Sequence, residues 1–232
     1  MEALFASASP APPPFLADLL TRARLGPAWP DDLPPLLARL PLADLYLQDE
    51  VEVALHPTLT RVWCRKGRRG QRRVQAPGTN AKRYGFGLVD WRDGWFDWEL
   101  AEGRRAAPFC AQVRRAVARS RARGRLAIII LDNLSIHTPT GSKLVRALPA
   151  ELGAHLRFVS TPPYDPDSNR IAWLWRALRR AVTHTQQRAT LDLLLADAET
   201  WARTIRPAQI LRQIGSPFAG LLEAQGDLIH AA

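Results

Sequence analysis

Leu126-Ala127-Ile128-Ile129-Ile130-Leu131, followed at once by Asp132-Asn133, is the stretch that decides the fold. The run is too short for a helix of ordinary length and rich in β-branched residues. It lacks polar alternation, so it reads as a central strand buried on both faces. Such parallel strands need crossovers, and the flanking segments supply them. Upstream, Pro108–Arg123 places Phe109, Val113 and Val117 at helical spacing, with Gly124 set to end the helix. Downstream, Ser142–Leu152 reads as a helix, His155–Ser160 as another buried strand and Thr161–Asn169 (TPPYDPDSN) as a turn-rich loop. Arg170–Val182 follows as a helix with Ile171, Leu174, Trp175 and Leu178 on one stripe, and Leu191–Ile205 as a last amphipathic helix. Earlier in the chain, Leu45–Leu55 (LYLQDEVEVAL), Thr60–Cys64 (TRVWC) and Lys82–Trp91 (KRYGFGLVDW) read as strands. Gly94–Leu100 returns as a hairpin partner, turned by Asp93-Gly94. Antiparallel strands followed by alternating helix and strand predict an α/β fold: a mixed sheet, three antiparallel strands and then parallel ones, flanked by helices.

Residues 1–43 differ from the rest. Nine of the 19 prolines lie between Pro10 and Pro41, a density that breaks helices and excludes central strands. This segment reads as an extended arm or linker, leaving 44–232 as one domain with ample length for a core. Its 47% apolar and 23% charged residues are ordinary for a globular protein; the net charge of +10 is not. Such a surface favours polyanions, nucleic acid first, although an Arg-, Ala- and Pro-rich composition is also what a GC-rich genome yields. The cysteines, Cys64 and Cys110, are too few for a disulfide framework or a four-ligand zinc site and fit a reducing cytoplasm. No apolar run approaches the ~20 residues of a membrane span, and the N-terminus lacks the basic start of a secretory signal.

Two carboxylates draw attention. Asp49 stands inside the first strand, where a buried charge is costly without a partner or a metal. Asp132 ends the most buried strand, the place where open α/β sheets bind ligands. If those strands are neighbours, both can meet at one point and hold Mg²⁺, which prefers hard oxygen donors. Otherwise Asp49 is a solvated strand residue and Asp132 caps the next segment.

Leu131-Asp132-Asn133 with His137, then Pro162-Pro163-Tyr164-Asp165-Pro166-Asp167-Ser168-Asn169-Arg170-Ile171, closely resembles the mariner-like superfamily of DDE transposases, nearest its bacterial insertion-sequence branch. Gln48-Asp49-Glu50 ahead of Trp63 and Lys66-Gly67, and Trp175 beyond the loop, match the same pattern. The resemblance covers about residues 44–205. It implies an RNase H-like fold, two divalent ions (Mg²⁺ or Mn²⁺) held by three acids, and cleavage and joining of double-stranded DNA.

Carried over, Asp49 matches the first acid and Asp132 the second; both would be metal ligands. The third acidic position is Ala172. Asp167 matches a separate acidic position of the family, Asp165 sits where the family often has Ser, and Glu199 lies on a later helix. Without a carboxylate at 172 one ion loses its third protein anchor, and a loss of ~4 kcal/mol is about a thousandfold in rate. A decayed element copy, a deliberately inactivated sequence and an accessory protein that kept the fold all remain open. The rival function is a non-catalytic DNA-binding or assembly subunit.

Around the acids, Asn133 positions Asp132 or simply turns the chain. His137 orients a phosphate or water, or packs and caps. Tyr164 and Asn169 belong to the motif loop. Arg61, Arg65, Lys66, Arg68, Arg69, Arg72 and Arg73 form a loop that contacts phosphates or is solvated surface. Arg114, Arg115, Arg119, Arg121 and Arg123 read as a solvent face. Trp175 reads as core, whereas Trp173, off the stripe, is free to stack. Full-length relatives carry helix-turn-helix modules, for which residues 1–43 are too short. A separate helix-turn-helix subunit, an intact transposase or a second copy in a homodimer are the expected partners, with no membrane.

Overall fold

The strand that carries Asp49 is the middle one of five, and this dictates its burial. The computed structural model describes residues 43–59, 61, 63, 65–67, 77–132, 134–161, 169–184, 187–216 and 218–220. Its strands are β1 (Ala43–Ala54), β2 (Lys82–Asp90), β3 (Phe96–Ala101), β4 (Leu126–Leu131) and β5 (Leu156–Ser160), in the order β3-β2-β1-β4-β5. β2 runs antiparallel to both β1 and β3, and β1, β4 and β5 run parallel. The mixed sheet expected from the element order is thus present. Gly94, in the left-handed region at φ +70°, turns the β2–β3 hairpin, where the Gly94 N–H donates to the Asp90 carbonyl at 3.0 Å.

Strand alternation divides the core in two. On one face Leu45, Leu47, Val51, Val53, Val89, Ile128 and Ile130 lie under helices α3 (Ile171–Val182), α4 (Leu191–Thr204) and α5 (Pro207–Gln213). On the other, Tyr46, Phe86, Leu88, Ile129 and Leu131 lie under α1 (Ala106–Ala122) and α2 (Lys143–Leu152). Burial of each such large apolar side chain contributes about 1.5–3 kcal/mol. The α3 stripe is the expected one, with Ile171, Leu174, Trp175 and Leu178 buried.

Two strand glycines admit aromatic rings. A Cβ on Gly87 would stand 2.1 Å from the Trp175 ring, and one on Gly85 would stand 2.0 Å from the Trp98 ring. The absence of side chains there lets Phe96, Trp98 and Trp175 cluster on the sheet at centroid separations of 5.8–6.2 Å.

Three expectations change. Arg61 and Trp63 lie in no strand, and the remainder of the expected Thr60–Cys64 strand falls outside the described residues. Both neighbours of β1 are already β2 and β4, so a strand there has no place beside it. α5 was not expected; only Ile210 and Leu211 are buried in its seven residues, too few to make a stripe. Third, the arginine face is more than solvated surface: Arg114, Arg115 and Arg121 are exposed as expected, but four of the five arginines are ion-paired. Arg114 pairs with Glu151, Arg115 with Asp97 and Glu99, and Arg119 and Arg123 with Asp93.

Arg123 and Arg125 also reach the fully buried Asp44 and Asp90 at the N-terminal end of β1. There the Tyr46 hydroxyl and Ser120 Oγ are 2.9 Å apart, and Ser120 donates to Asp44 at 3.0 Å. Buried charges of this kind persist because each finds ionic and hydrogen-bonding partners.

Candidate active site

Register brings the two acids level. In the parallel β1–β4 pair Leu47 stands opposite Ile130; two positions farther along each chain come Asp49 and Asp132. An even step preserves the face, so Asp49 continues the side of β1 that packs under α3. Asp132 follows β4 by one residue, at the carboxyl end of the parallel strands.

Each acid is held from a different element. Trp175 of α3 donates its indole N–H to Asp49 Oδ2 at 3.0 Å. Asp132 Oδ1 accepts the Leu134 N–H at 3.0 Å and meets His137 Nδ1 at 2.7 Å. His137 ends a 3-10 turn, Ser135–His137, and its ring packs against Phe109 with centroids 4.6 Å apart. Its Nε2 lies 2.9 Å from Glu50 Oε1, which also accepts from Gln48 Nε2 at 2.8 Å. Carboxylates only accept, so an imidazole between two of them donates from both nitrogens and is cationic.

The electrostatics follow from this arrangement. Burial, then repulsion by Glu50 and Asp132, pushes the Asp49 carboxyl up to about 7. Burial opposes the charged form of Asp132 as well, but the bonds from His137 and the Leu134 N–H outweigh it, and its pKa falls below the usual carboxylate range. Burial likewise opposes charge on His137, yet its two carboxylate partners raise it to about 9. Arg104, whose guanidinium covers the Tyr84 ring at 5.1 Å, adds to the field that favours ionised Asp132.

The donor set fits one hard divalent cation. Asp132 Oδ2 has no hydrogen-bond partner among the described residues, and Asp49 carries the strain of unneutralised neighbouring charge. Among the described residues no group of three or more His, Cys, Asp or Glu is arranged to hold a metal ion. His137 stands between Glu50 and Asp132 with both nitrogens engaged, so it is not a ligand here.

Ala172 lies in the first turn of α3, three residues before Trp175. Asn169, just ahead of the helix, is buried and donates Nδ2 to the Gln48 carbonyl at 2.6 Å, anchoring the start of α3 to β1 beside Asp49. Arg65 and Lys66 are exposed. Asn133, Tyr164, Arg68, Arg69, Arg72 and Arg73 lie outside the described residues. Glu199 bonds Arg203 and lines a cleft with Arg83, Leu100 and Asp192, away from both acids. Trp173 carries the Arg170 guanidinium over its ring at 4.9 Å.

Gln48 and Glu50 appear in the sequence pattern only as the flanks of Asp49, with no role of their own, and Arg104 and the indole N–H of Trp175 were not expected at the site. A signal was available for Glu50: adjacent charges on a strand point to opposite faces, so in a central strand both Asp49 and Glu50 must be accommodated inside.

A mixed sheet with one acid inside its central strand, another just past the end of the parallel neighbour, and a helix tied to the first acid, defines a nuclease-type α/β domain. The chain belongs to the DDE superfamily endonucleases, whose sequence profile matches residues 44–194, well over half of its length. Its fold is the RNase H-like one of the Mos1 mariner transposase. The Mos1 paired-end complex with left transposon end is similar at TM-score 0.59 and 18% identity over 81% of this chain and 56% of that one. The Mos1 paired-end complex with Mn is similar at TM-score 0.57 and 16% identity, covering 83% and 58% of the two chains. For the Mos1 strand transfer complex the values are 0.53 and 16%, with 90% and 57% covered. The chain therefore spans a little over half the length of these structures. No curated protein sequence matches it.

Proposed function

We propose that this chain is the catalytic domain of a DNA transposase of the bacterial insertion-sequence type, impaired because Ala172 occupies the third acidic position. The observation that carries the reading is the level placement of Asp49 and Asp132 on neighbouring parallel strands, with the start of α3 beside them. Asp49 and Asp132 are the residues that would hold Mg²⁺ or Mn²⁺, which when bound activates an attacking oxygen and stabilises a leaving one on phosphate.

The chain's own residues organise that site. Trp175 holds Asp49, His137 holds Asp132, and Asn169 ties the start of α3 to β1. Residues three apart share a helix face, and helical side chains lean towards the N-terminus. A Glu at 172 would thus extend from the Trp175 side of α3 towards Asn169 and the Gln48–Asp49 stretch of β1. Alanine offers no oxygen there. Arg65 and Lys66, with Arg68, Arg69, Arg72 and Arg73, are assigned to phosphates of double-stranded DNA, which gives affinity without sequence choice. Residues 1–43 act as an arm to the domain at 44–232, and site-specific end recognition comes from a helix-turn-helix subunit, an intact transposase or a second copy. The work is cytoplasmic, where bacterial DNA lies. Ala172 itself favours one second reading: a non-catalytic DNA-binding or assembly subunit.

Nicking of supercoiled plasmid with Mn²⁺ tests this. The unmodified chain should nick barely, Ala172→Glu should nick at least about a hundredfold faster, and Ala172→Glu with Asp132→Asn should lose the gain. Strong nicking by the unmodified chain that Asp132→Asn abolishes would show that another group supplies the third ligand. A folded Ala172→Glu that binds DNA but does not nick favours the non-catalytic reading.

A further inference from the structure

Glu50 is the one site-region carboxylate turned away from Asp49, and its side chain is only 2% exposed. Burial of a carboxylate is costly unless its oxygens are occupied. Here Oε1 takes the Gln48 amide at 2.8 Å and His137 Nε2 at 2.9 Å. The imidazole is fully buried and packed on Phe109, so the bond to Glu50 sets its remaining freedom. At its other edge Nδ1 meets Asp132 Oδ1 at 2.7 Å, on a side chain that is 45% exposed. The Leu134 N–H converges on that same oxygen at 3.0 Å.

We infer that Glu50 is a positioning residue: acting through His137, it fixes the orientation of the Asp132 carboxylate. Asp132 sits past the end of β4, where the sheet ladder no longer restrains it, and a half-exposed aspartate is otherwise free to rotate about χ1 and χ2. Two donors on Oδ1 select one orientation and leave Oδ2 open. With Glu50 accepting at Nε2, from the neighbouring central strand, the ring is held in one plane and keeps a proton on Nδ1 for Asp132; without that acceptor the neutral ring can place its single proton on either nitrogen. Hydrogen-bonded supports of this kind behind a metal-binding carboxylate typically change metal affinity 10–100-fold when removed. The inference rests on Asp49 and Asp132 being the metal-holding pair.

The test uses the full chain, with Mn²⁺ alone as the probe, followed by the electron paramagnetic resonance of free Mn²⁺. Histidine ¹⁵N-labelling follows the His137 ring N–H protons by NMR. Glu50→Leu fills a similar volume without an acceptor; Glu50→Gln keeps one. Glu50→Leu should weaken Mn²⁺ binding about 10–100-fold and lose the slowly exchanging His137 signal. Glu50→Gln should keep the signal and remain within about threefold of the unmodified chain, a rescue that a merely space-filling role does not require. Should Glu50→Leu not fold, His137→Gln interrupts the same connection from the other side and should weaken Mn²⁺ binding equally. A folded Glu50→Leu, or in its place a folded His137→Gln, that binds Mn²⁺ like the unmodified chain overturns the inference while leaving the metal site standing. Mn²⁺ binding insensitive to Asp132→Asn overturns the metal site itself, and this inference with it.

Discussion

Gly87→Ala should be among the most damaging single-methyl additions in the sheet. The new Cβ would lie 2.1 Å and 2.7 Å from two atoms of the Trp175 ring and 3.2 Å from Phe96. Carbon atoms rest at about 3.5–4.0 Å, so the indole must retreat by more than an ångström. It has little room to do so, because Phe96 and Trp98 stand at 6.2 and 5.8 Å from its centroid. Retreat also breaks its 3.0 Å bond to Asp49. Overpacking of about 1–3 kcal/mol and loss of a charge-assisted bond of about 1.5–3 kcal/mol give a destabilisation of roughly 3–5 kcal/mol. Urea denaturation followed by circular dichroism, on Gly87→Ala, Trp175→Phe and the double variant, measures it. With phenylalanine at 175 the methyl group meets a smaller ring that makes no bond to Asp49, so Gly87→Ala should cost at least ~1.5 kcal/mol less in that background. Additivity within ~0.5 kcal/mol would mean that the two residues do not share this space.

Other outcomes follow from the far end of β1 and from the surface. Ser120 Oγ serves both Tyr46 and Asp44, so Ser120→Ala should destabilise by about 1–3 kcal/mol in the same denaturation assay; no change would show that the two groups satisfy each other. Burial, with Asp93 and Asp44 close by, pushes the Asp90 carboxyl up to about 7, above the ~3.9 of an unfolded aspartate. The native state then holds the proton more tightly than the unfolded chain, so this group lowers stability as pH rises from about 4 to 7. Asp90→Asn should flatten that decline, and urea midpoints falling in parallel for both proteins would refute it. Arg65→Glu with Lys66→Glu, both at exposed positions, should weaken duplex DNA binding and shift the slope of log affinity against log salt by about two or more; an unchanged slope would mark the loop as solvated surface only.

The sequence made plain what depends on short-range pattern. LAIIIL has no reading but a doubly covered strand, and Ile171, Leu174, Trp175 and Leu178 show the face of α3 before any packing is known. Asp49 and Asp132 could be placed on strands, but their meeting depended on the β1–β4 register, which only tertiary pairing sets. Glu50 and His137 were harder. Their partnership spans 87 positions and joins the central strand to the turn after β4, and neither residue carries a local pattern that predicts it. The arginines of α1 read correctly as outward, but their ion-pair partners did not show, because those acids come from β3, its turn and α2. Within TRVWC, Arg61 and Trp63 lie in no strand despite strong strand propensity, because propensity does not supply an open neighbouring position.

The order of strands in the sheet also has a consequence for synthesis. β1 pairs first with β2, a local hairpin-like partner, whereas its pairing with β4 waits for most of α1 and the hairpin β2–β3 to be made. Long-range parallel pairing is the slow, entropically demanding step of such topologies. Until it occurs, a growing chain holds Asp49 on an open strand edge with neither Asp132 beside it nor Trp175 above it. A nascent or truncated chain ending before β4 therefore has no assembled acid pair, and the site exists only once the sheet has closed.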